Sequence, residues 1–341
     1  MKKKLFLAAA LSVSVVVAAT KVSTWFVSAE RDANIEFIIG ILRADGTLLP
    51  FAQYGNGGWF NPWPKPADTQ NVYADNRELI PHSLGDLREP WFKQCGKIPN
   101  TWYLWSTPET LMVLRASKLV QVENHSQTNW ALLTDFPKQI SEGHHKNLGV
   151  VLNAKHKIEP WIQIKPESSE NKEIWSFVKQ LFDEAETAQL DRIRAEHPQG
   201  FASSTHRALF LTRDDRRKIS TSLTHLYRSN SANNGEYLFY FEAEKEYQTP
   251  TAPGRQDCND ISLFQGWIST QGKGGLGLFD SRVFFTNCDR KGPSFTTPLG
   301  IMNVGNRSFL FVTEHGWEDE SYIILELDRS GLHRVLETFG G

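Results

Sequence analysis

The last third of the chain is a series of strand-length runs cut by turn residues, and this punctuation constrains the fold more than any other feature. Runs at 261–270, 277–286, 299–304, 308–313, 322–327 and 332–338 are rich in β-branched and aromatic residues, with Gly, Asn, Asp and Pro between them. Asp328, Ser330 and Gly331 predict a compact hairpin between the last two runs. Ahead of the series, 237–241 is apolar and aromatic. The alternation of Glu242, Ala243, Glu244, Lys245 and Glu246 then predicts a solvated extension of that buried stretch.

The first half repeats the theme in shorter pieces. Residues 35–42 and 47–54 flank Asp45-Gly46, a hairpin signal, and the second run closes in Gly55-Asn56-Gly57-Gly58 before Trp59. Strand-like runs follow at 102–105, 111–114, 119–123, 130–134, 148–152 and 161–164, with spacings of about ten residues that suit a sandwich, a barrel or propeller blades. Residues 62–99, rich in Pro and Trp and without a period, read as an extended connection. Leu48 and Trp59 recur as Leu119 and Trp130 at the same offset, a hint of an internal repeat.

One helix interrupts the pattern. Ile174, Phe177, Val178, Leu181, Phe182, Ala185, Ala188 and Ile193 recur at helical spacing, and Pro198 follows the end. The helix is expected to cover a sheet edge or to act as a hinge between two lobes. Its polar face mixes Lys172, Lys179, Glu184 and Arg192, which does not suit a membrane surface.

Together these signals predict a mainly β fold, β-propeller-like, with one long amphipathic helix inserted near the middle. In that arrangement the last strand closes the ring against residues 35–42, since closure removes exposed edges. Two β-sandwich lobes are the alternative. The expected organisation is a signal peptide at 1–29, an N-terminal β region at 30–166, a helical insertion or hinge at 167–200 and a C-terminal meander at 201–341. The two β regions are expected to form one domain.

The leader reading rests on Lys2, Lys3 and Lys4 followed by an apolar run from Leu5 to Ala19. Cleavage fits after Ala19 or after Ala29. The run ends at Lys21, short of the roughly 20 apolar residues of a spanning helix. An exported product, periplasmic or extracellular, is therefore expected, without stable membrane insertion after cleavage. The formal net charge of −2 becomes −5 once the three charges of Lys2, Lys3 and Lys4 are removed, which leaves no basic surface for nucleic acid. Of the three cysteines, Cys258 and Cys288 border strand-like runs of one meander and are the expected disulfide; Cys95 lies in the Pro- and Trp-rich connection.

Three phrases, GILRADGTLLPFAQYGNGGWFNPWP at 40–64, YFEAEKEY at 240–247 and EHGWEDESY at 314–322, are similar to stretches in uncharacterised exported bacterial proteins with a β-propeller-like strand pattern. The resemblance implies export and a β fold and brings no activity or functional residue.

The densest titratable cluster is Glu314, His315, Glu318, Asp319 and Glu320 around Gly316 and Trp317. As a loop on a rigid sheet it is a candidate acid–base site through Glu314, His315 and Glu318, with Asp260 as a further carboxylate. As a metal site it offers Glu314, Glu318, Asp319 and Glu320, for which calcium is the fitting ion because the ligands are hard oxygens. The bland reading is a solvated acidic hairpin over Trp317. Asp257, Asn259, Asp260, Asp280 and Asp289 are turn residues or, if their loops share one end of the sheet with Glu314 and His315, part of a pocket. His144, His145 and His156 lack zinc-ligand spacing, and Arg213, Arg216, Arg217 and Lys218 are broken by Asp214 and Asp215 into a salt-bridged turn.

No cofactor motif is present. The leading functional expectation is a binding or interaction module for a glycan or protein ligand, which a β scaffold with loops and 11 Trp residues suits. A secreted glycan-directed hydrolase with paired carboxylates and a calcium-stabilised structural protein are the alternatives.

Overall fold

Alternation of side chains along the first two strands sets the innermost layer. In β1 (Ile35–Arg43), Ile38 and Leu42 point to one side while Phe37, Ile39 and Ile41 point to the other. β1 turns into β2 (Thr47–Gly55) at Asp45-Gly46: Gly46 takes a φ of 84°, and the Asp45 carboxylate accepts from the Thr47 amide at 2.9 Å. β3 (Gly58–Phe60) folds back on β2 through Asn56 and Gly57.

This structure is a computed structural model. It describes residues 35–62, 82–83, 99–124, 127–138, 147–165, 168, 171–199, 206–229, 236–248, 258–271, 275–316, 320–328 and 330–339. All lie within one unit, Ala33–Gly341. The leader, Cys95, His144 and His145 are outside the described residues.

β1 also pairs with β8 (Asn147–Leu152), which continues through β5 (Thr101–Trp105), β6 (Leu111–Asn124) and β7 (Gln127–Thr134) back to β2. The β1–β2 pairing closes the six strands into a barrel. β4 (His82–Ser83) adds to the outside of β6. The barrel interior is filled by Ile38, Leu42, Leu48, Trp102, Leu104, Leu114, Leu132 and Val151, contributed by all six strands. Gly40 faces the same crowded interior: a Cβ there would lie 2.7 Å from Leu48 Cδ2.

Three further layers stack on the outer face of the barrel. β14 (Phe295–Val304), β15 (Arg307–His315), β16 (Glu320–Asp328) and β17 (Gly331–Phe339) form a four-stranded meander. Its Met302, Phe309, Phe311, Tyr322 and Ile324 pack on Phe37, Phe51, Tyr54 and Trp59 of the barrel. The alternate residues, Ile301, Leu310, Val312 and Ile323, pack on Leu238, Tyr240 and Trp267. Those belong to a five-stranded sheet of β9 (Ile162–Gln163), β10 (Thr221–Arg228), β11 (Leu238–Tyr247), β12 (Asp260–Gln271) and β13 (Gly275–Asn287). Helix α1 (Lys172–Glu196) covers the far face of that sheet with Ile174, Val178 and Phe182 against Phe239, Phe241 and Phe264.

The mainly β expectation, the hairpins at Asp45-Gly46 and Asp328–Gly331, and the single long helix all match. The propeller expectation does not describe the pairings: the sheets are a closed six-stranded barrel with added strands, a five-stranded sheet and a four-stranded sheet, not repeated blades. The last strand pairs with β16, and residues 35–42 pair with β2 and β8. Strand spacing reports length and number, whereas the barrel is fixed by non-local pairs such as Ile41↔Val150 and Leu104↔Val151. The runs at 111–114 and 119–123 belong to one continuous strand, β6, and β10 carries no alternation because a register shift falls between Leu223 and His225.

The helix covers a face of the five-stranded sheet that includes its edge strand β13. This changes the reading of 242–246: Lys245 is 1% exposed, since α1 lies over it and supplies Glu186 at 3.0 Å and Asp183 at 2.6 Å. Glu186 sits in the apolar stripe of the helix and also accepts from Tyr247, so every buried charge there has a partner.

Candidate functional site

Strand alternation splits the acidic hairpin that the sequence singled out. β15 runs through His315 and β16 begins at Glu320, and these two residues stand opposite one another. They share the face that packs on the barrel, while Glu314 faces the five-stranded sheet. Glu314 there meets Arg334 at 3.1 Å and Arg282 at 3.8 Å. Trp317, Glu318 and Asp319 lie outside the described residues.

Glu320 is 2% exposed and fully engaged. Arg43 and Tyr322 donate to its Oε2 at 3.1 and 3.0 Å, and Asn147 donates to Oε1 at 2.7 Å. Arg43 also donates to Tyr322 at 3.0 Å. Burial alone would lower the Arg43 pKa, but Tyr322 and Glu320 outweigh it and hold it above the ordinary value. His315 adds Nδ1 at 3.5 Å from Glu320, with Thr313 Oγ1 at 2.9 Å from its Nε2. This buried network ties the barrel to the four-stranded sheet.

The other acidic positions disperse. Asp260 accepts from the Arg207 amide at 2.6 Å and anchors a single 3-10 turn, Arg207–Phe210, on the helix side of the five-stranded sheet. Asp289 lies in a turn in which its amide donates to Asn287 at 3.1 Å, Asn259 donates to Glu246 at 3.5 Å, and Asp280 is exposed on β13. Asp260 is thus on the opposite side of its sheet from Glu314, whereas Asp280 shares a face of β13 with the Arg282 that meets Glu314; Asp257 lies outside the described residues. Among the described residues no three His, Cys, Asp or Glu side chains converge as metal ligands do. Cys258 and Cys288 form the expected disulfide, with Cα atoms 5.3 Å apart. Arg213–Lys218 is helix α2, capped by Thr212.

Sequence reading missed two features. The first is a histidine held by a carboxylate: His225 and Glu242 stand opposite in the β10–β11 register, and Nδ1 lies 3.0 Å from Glu242 Oε2. Tyr240 donates to the other Glu242 oxygen at 2.7 Å. The hydrogen bond to Glu242 is the main cause that raises the His225 pKa. A register shift separates Leu223 from His225, so sequence distance gave no sign of the pair.

The second is a cleft in the barrel wall. β5 and β8 share only two register pairs, Tyr103↔Leu152 and Leu104↔Val151. The β1–β8 register passes from Leu42↔Gly149 to Arg43↔Asn147, so Leu148 is a bulged residue that turns the start of β8. Where the pairing lapses, a cavity of about 280 Å³ opens, lined chiefly by Leu104, Trp105, Met112, Phe136, Leu148 and Leu299. Ser106 contributes a hydroxyl. Trp105 is oriented by donation of Nε1 to the His156 carbonyl at 2.9 Å, and Met112 is 37% exposed. Apolar walls with few polar groups are the composition of a ligand site. Residues scattered over β5, β6, β8 and β14 form it, so no motif could have revealed it.

Comparison with protein-family models, with characterised proteins and with solved structures finds no match to this chain.

Proposed function

We propose that this chain is an exported binding module that takes the apolar part of a small amphiphilic molecule into the cleft between β5 and β8. The observation that carries the reading is the position of that cleft: it lies where barrel pairing lapses, and its lining is apolar and partly exposed. Its volume of about 280 Å³ falls just under the roughly 300–1,000 Å³ of common small-molecule sites, which suits a short alkyl or single-ring group. Ser106 and the rim are left for the polar end. The lysine-headed apolar leader and the disulfide support export.

The test is titration with dansyl-labelled alkyl amines of increasing chain length, read by energy transfer from tryptophan. Short chains are expected to bind, and Met112→Glu at the rim to weaken binding about tenfold or more by placing a charge against the apolar group. Trp105→Phe should lower the transfer, since Trp105 lines the cleft, while the other tryptophans, Trp102 on the same strand among them, keep the rest. Equal binding by wild type and Met112→Glu rules out the cleft as the site. Absence of binding at every chain length removes the reading.

A further inference from the structure

β13 is the outermost strand of the five-stranded sheet, paired with β12 at twelve register positions, and its other edge is paired with no strand among the described residues, although β17 of the four-stranded sheet passes near it. A long open edge is a template for another strand unless its side chains forbid pairing. The side chains of this edge can match a copy of themselves.

Charges usually blunt an edge, but here Asp280 and Arg282 are opposite in sign and two residues apart on one face. Both are exposed, Arg282 by 48% of its side chain even with Glu314 of its own chain at 3.8 Å, a separation that leaves the guanidinium able to take a second carboxylate. In an antiparallel pair of β13 strands centred on Ser281, Asp280 of each copy stands opposite Arg282 of the other. The neighbouring register depends on a bulge. β12 pairs Trp267 with Asp280 and Ile268 with Leu278, so Phe279 is the extra residue. Counting past it, Leu278 meets Val283 of the second copy and Leu276 meets Phe285. All four lie on the helix side of the sheet, opposite Ile268, Phe264, Thr270 and Ser262 of β12. Gly277 meets Phe284 and leaves space for its ring. Leu278, at 41% exposure, gains an apolar partner.

We propose that two copies of this chain associate through β13, antiparallel about Ser281, to make one continuous sheet. The site is distinct from the cleft and does not depend on it. Sedimentation equilibrium on the full chain tests the proposal through charge exchange. Wild type is expected to be a dimer. Asp280→Arg faces Arg with Arg and should weaken dimerisation about tenfold or more, and Arg282→Asp should do the same with two aspartates. An equimolar mixture of these two variants restores both opposite-charge pairs and should form heterodimers, as should the double exchange D280R/R282D with itself. Recovery in the mixture also shows that the single variants are folded. A monomeric wild type, a dimer indifferent to both reversals, or failure of the mixture to associate overturns the proposal.

Discussion

Arg43 and Glu320 lie 277 residues apart in sequence and meet at 3.1 Å between the barrel and the four-stranded sheet, with 1% and 3% of their side chains exposed. Breaking one half of a buried pair leaves the other charge without compensation. Glu320→Ala should therefore lower unfolding free energy by about 3–5 kcal/mol in urea titration. The double variant Arg43→Met with Glu320→Leu should lose distinctly less. Equal losses in single and double variants would show that packing, not the uncompensated Arg43 charge, sets the cost.

The second prediction concerns α1. Glu186 receives Lys245 and Tyr247 and lies 3.7 Å from Arg216, all under the helix. Glu186→Ala takes the carboxylate from buried Arg216 and leaves Lys245 with Asp183 alone, and should cost about 3–5 kcal/mol. Phe182→Ala, which removes a ring stacked 5.1 Å from Phe264 and lying 4.9 Å below Lys245 Nζ, should cost a similar amount, about 3–5 kcal/mol, chiefly through a cavity. Salt separates them: the Glu186→Ala loss should shrink in the presence of a small carboxylate such as formate, and the Phe182→Ala loss should not.

Two histidines should act on stability with opposite signs. His206 is packed against Tyr247 and Phe285, and burial lowers its pKa despite the nearby Asp260. The unfolded chain then takes up the proton first, so the stability His206 supports is complete above the unfolded value of about 6.5 and declines as pH falls below it. His225 is raised by Glu242, so its contribution is complete below about 6.5 and fades as pH rises through the folded value. In urea titrations across roughly the histidine range, about pH 5 to 8, His206→Phe should flatten the acid limb. His225→Gln should lose most stability at the acid end. The reverse pattern would show that the two signs are the other way round.

The disulfide closes a separation of 30 residues between the ends of β12 and β13. Loop-closure entropy predicts that reduction costs about 3.5 kcal/mol. Thermal melts with and without reductant measure it. An unchanged melt would mean that strand pairing already restricts the unfolded loop.

Local signals in the sequence carried most of the elements and little of their assembly. The β1–β2 hairpin was legible because Asp45-Gly46 can make only a tight turn, and α1 because its apolar residues recur at helical spacing. Lys245 read as solvated because its alternation with Glu244 and Glu246 is polar; only the helix above it, from a distant segment, makes it buried. The acidic hairpin looked like one cluster since adjacency hides the pleat. Once β15 is extended to His315, alternation alone places Glu314 on the other face. The cleft was not legible at all, being the product of a bulge at Leu148 and a pairing that stops after Leu104.

The meander of β14 to β17 is apolar on both faces and follows the barrel and the five-stranded sheet in sequence. Until β14 to β17 are made, a growing polypeptide therefore carries two uncovered apolar surfaces, one on the barrel and one on the five-stranded sheet. Folding is then completed by the meander, and loss of the β16–β17 hairpin would leave two sticky surfaces instead of a slightly smaller protein.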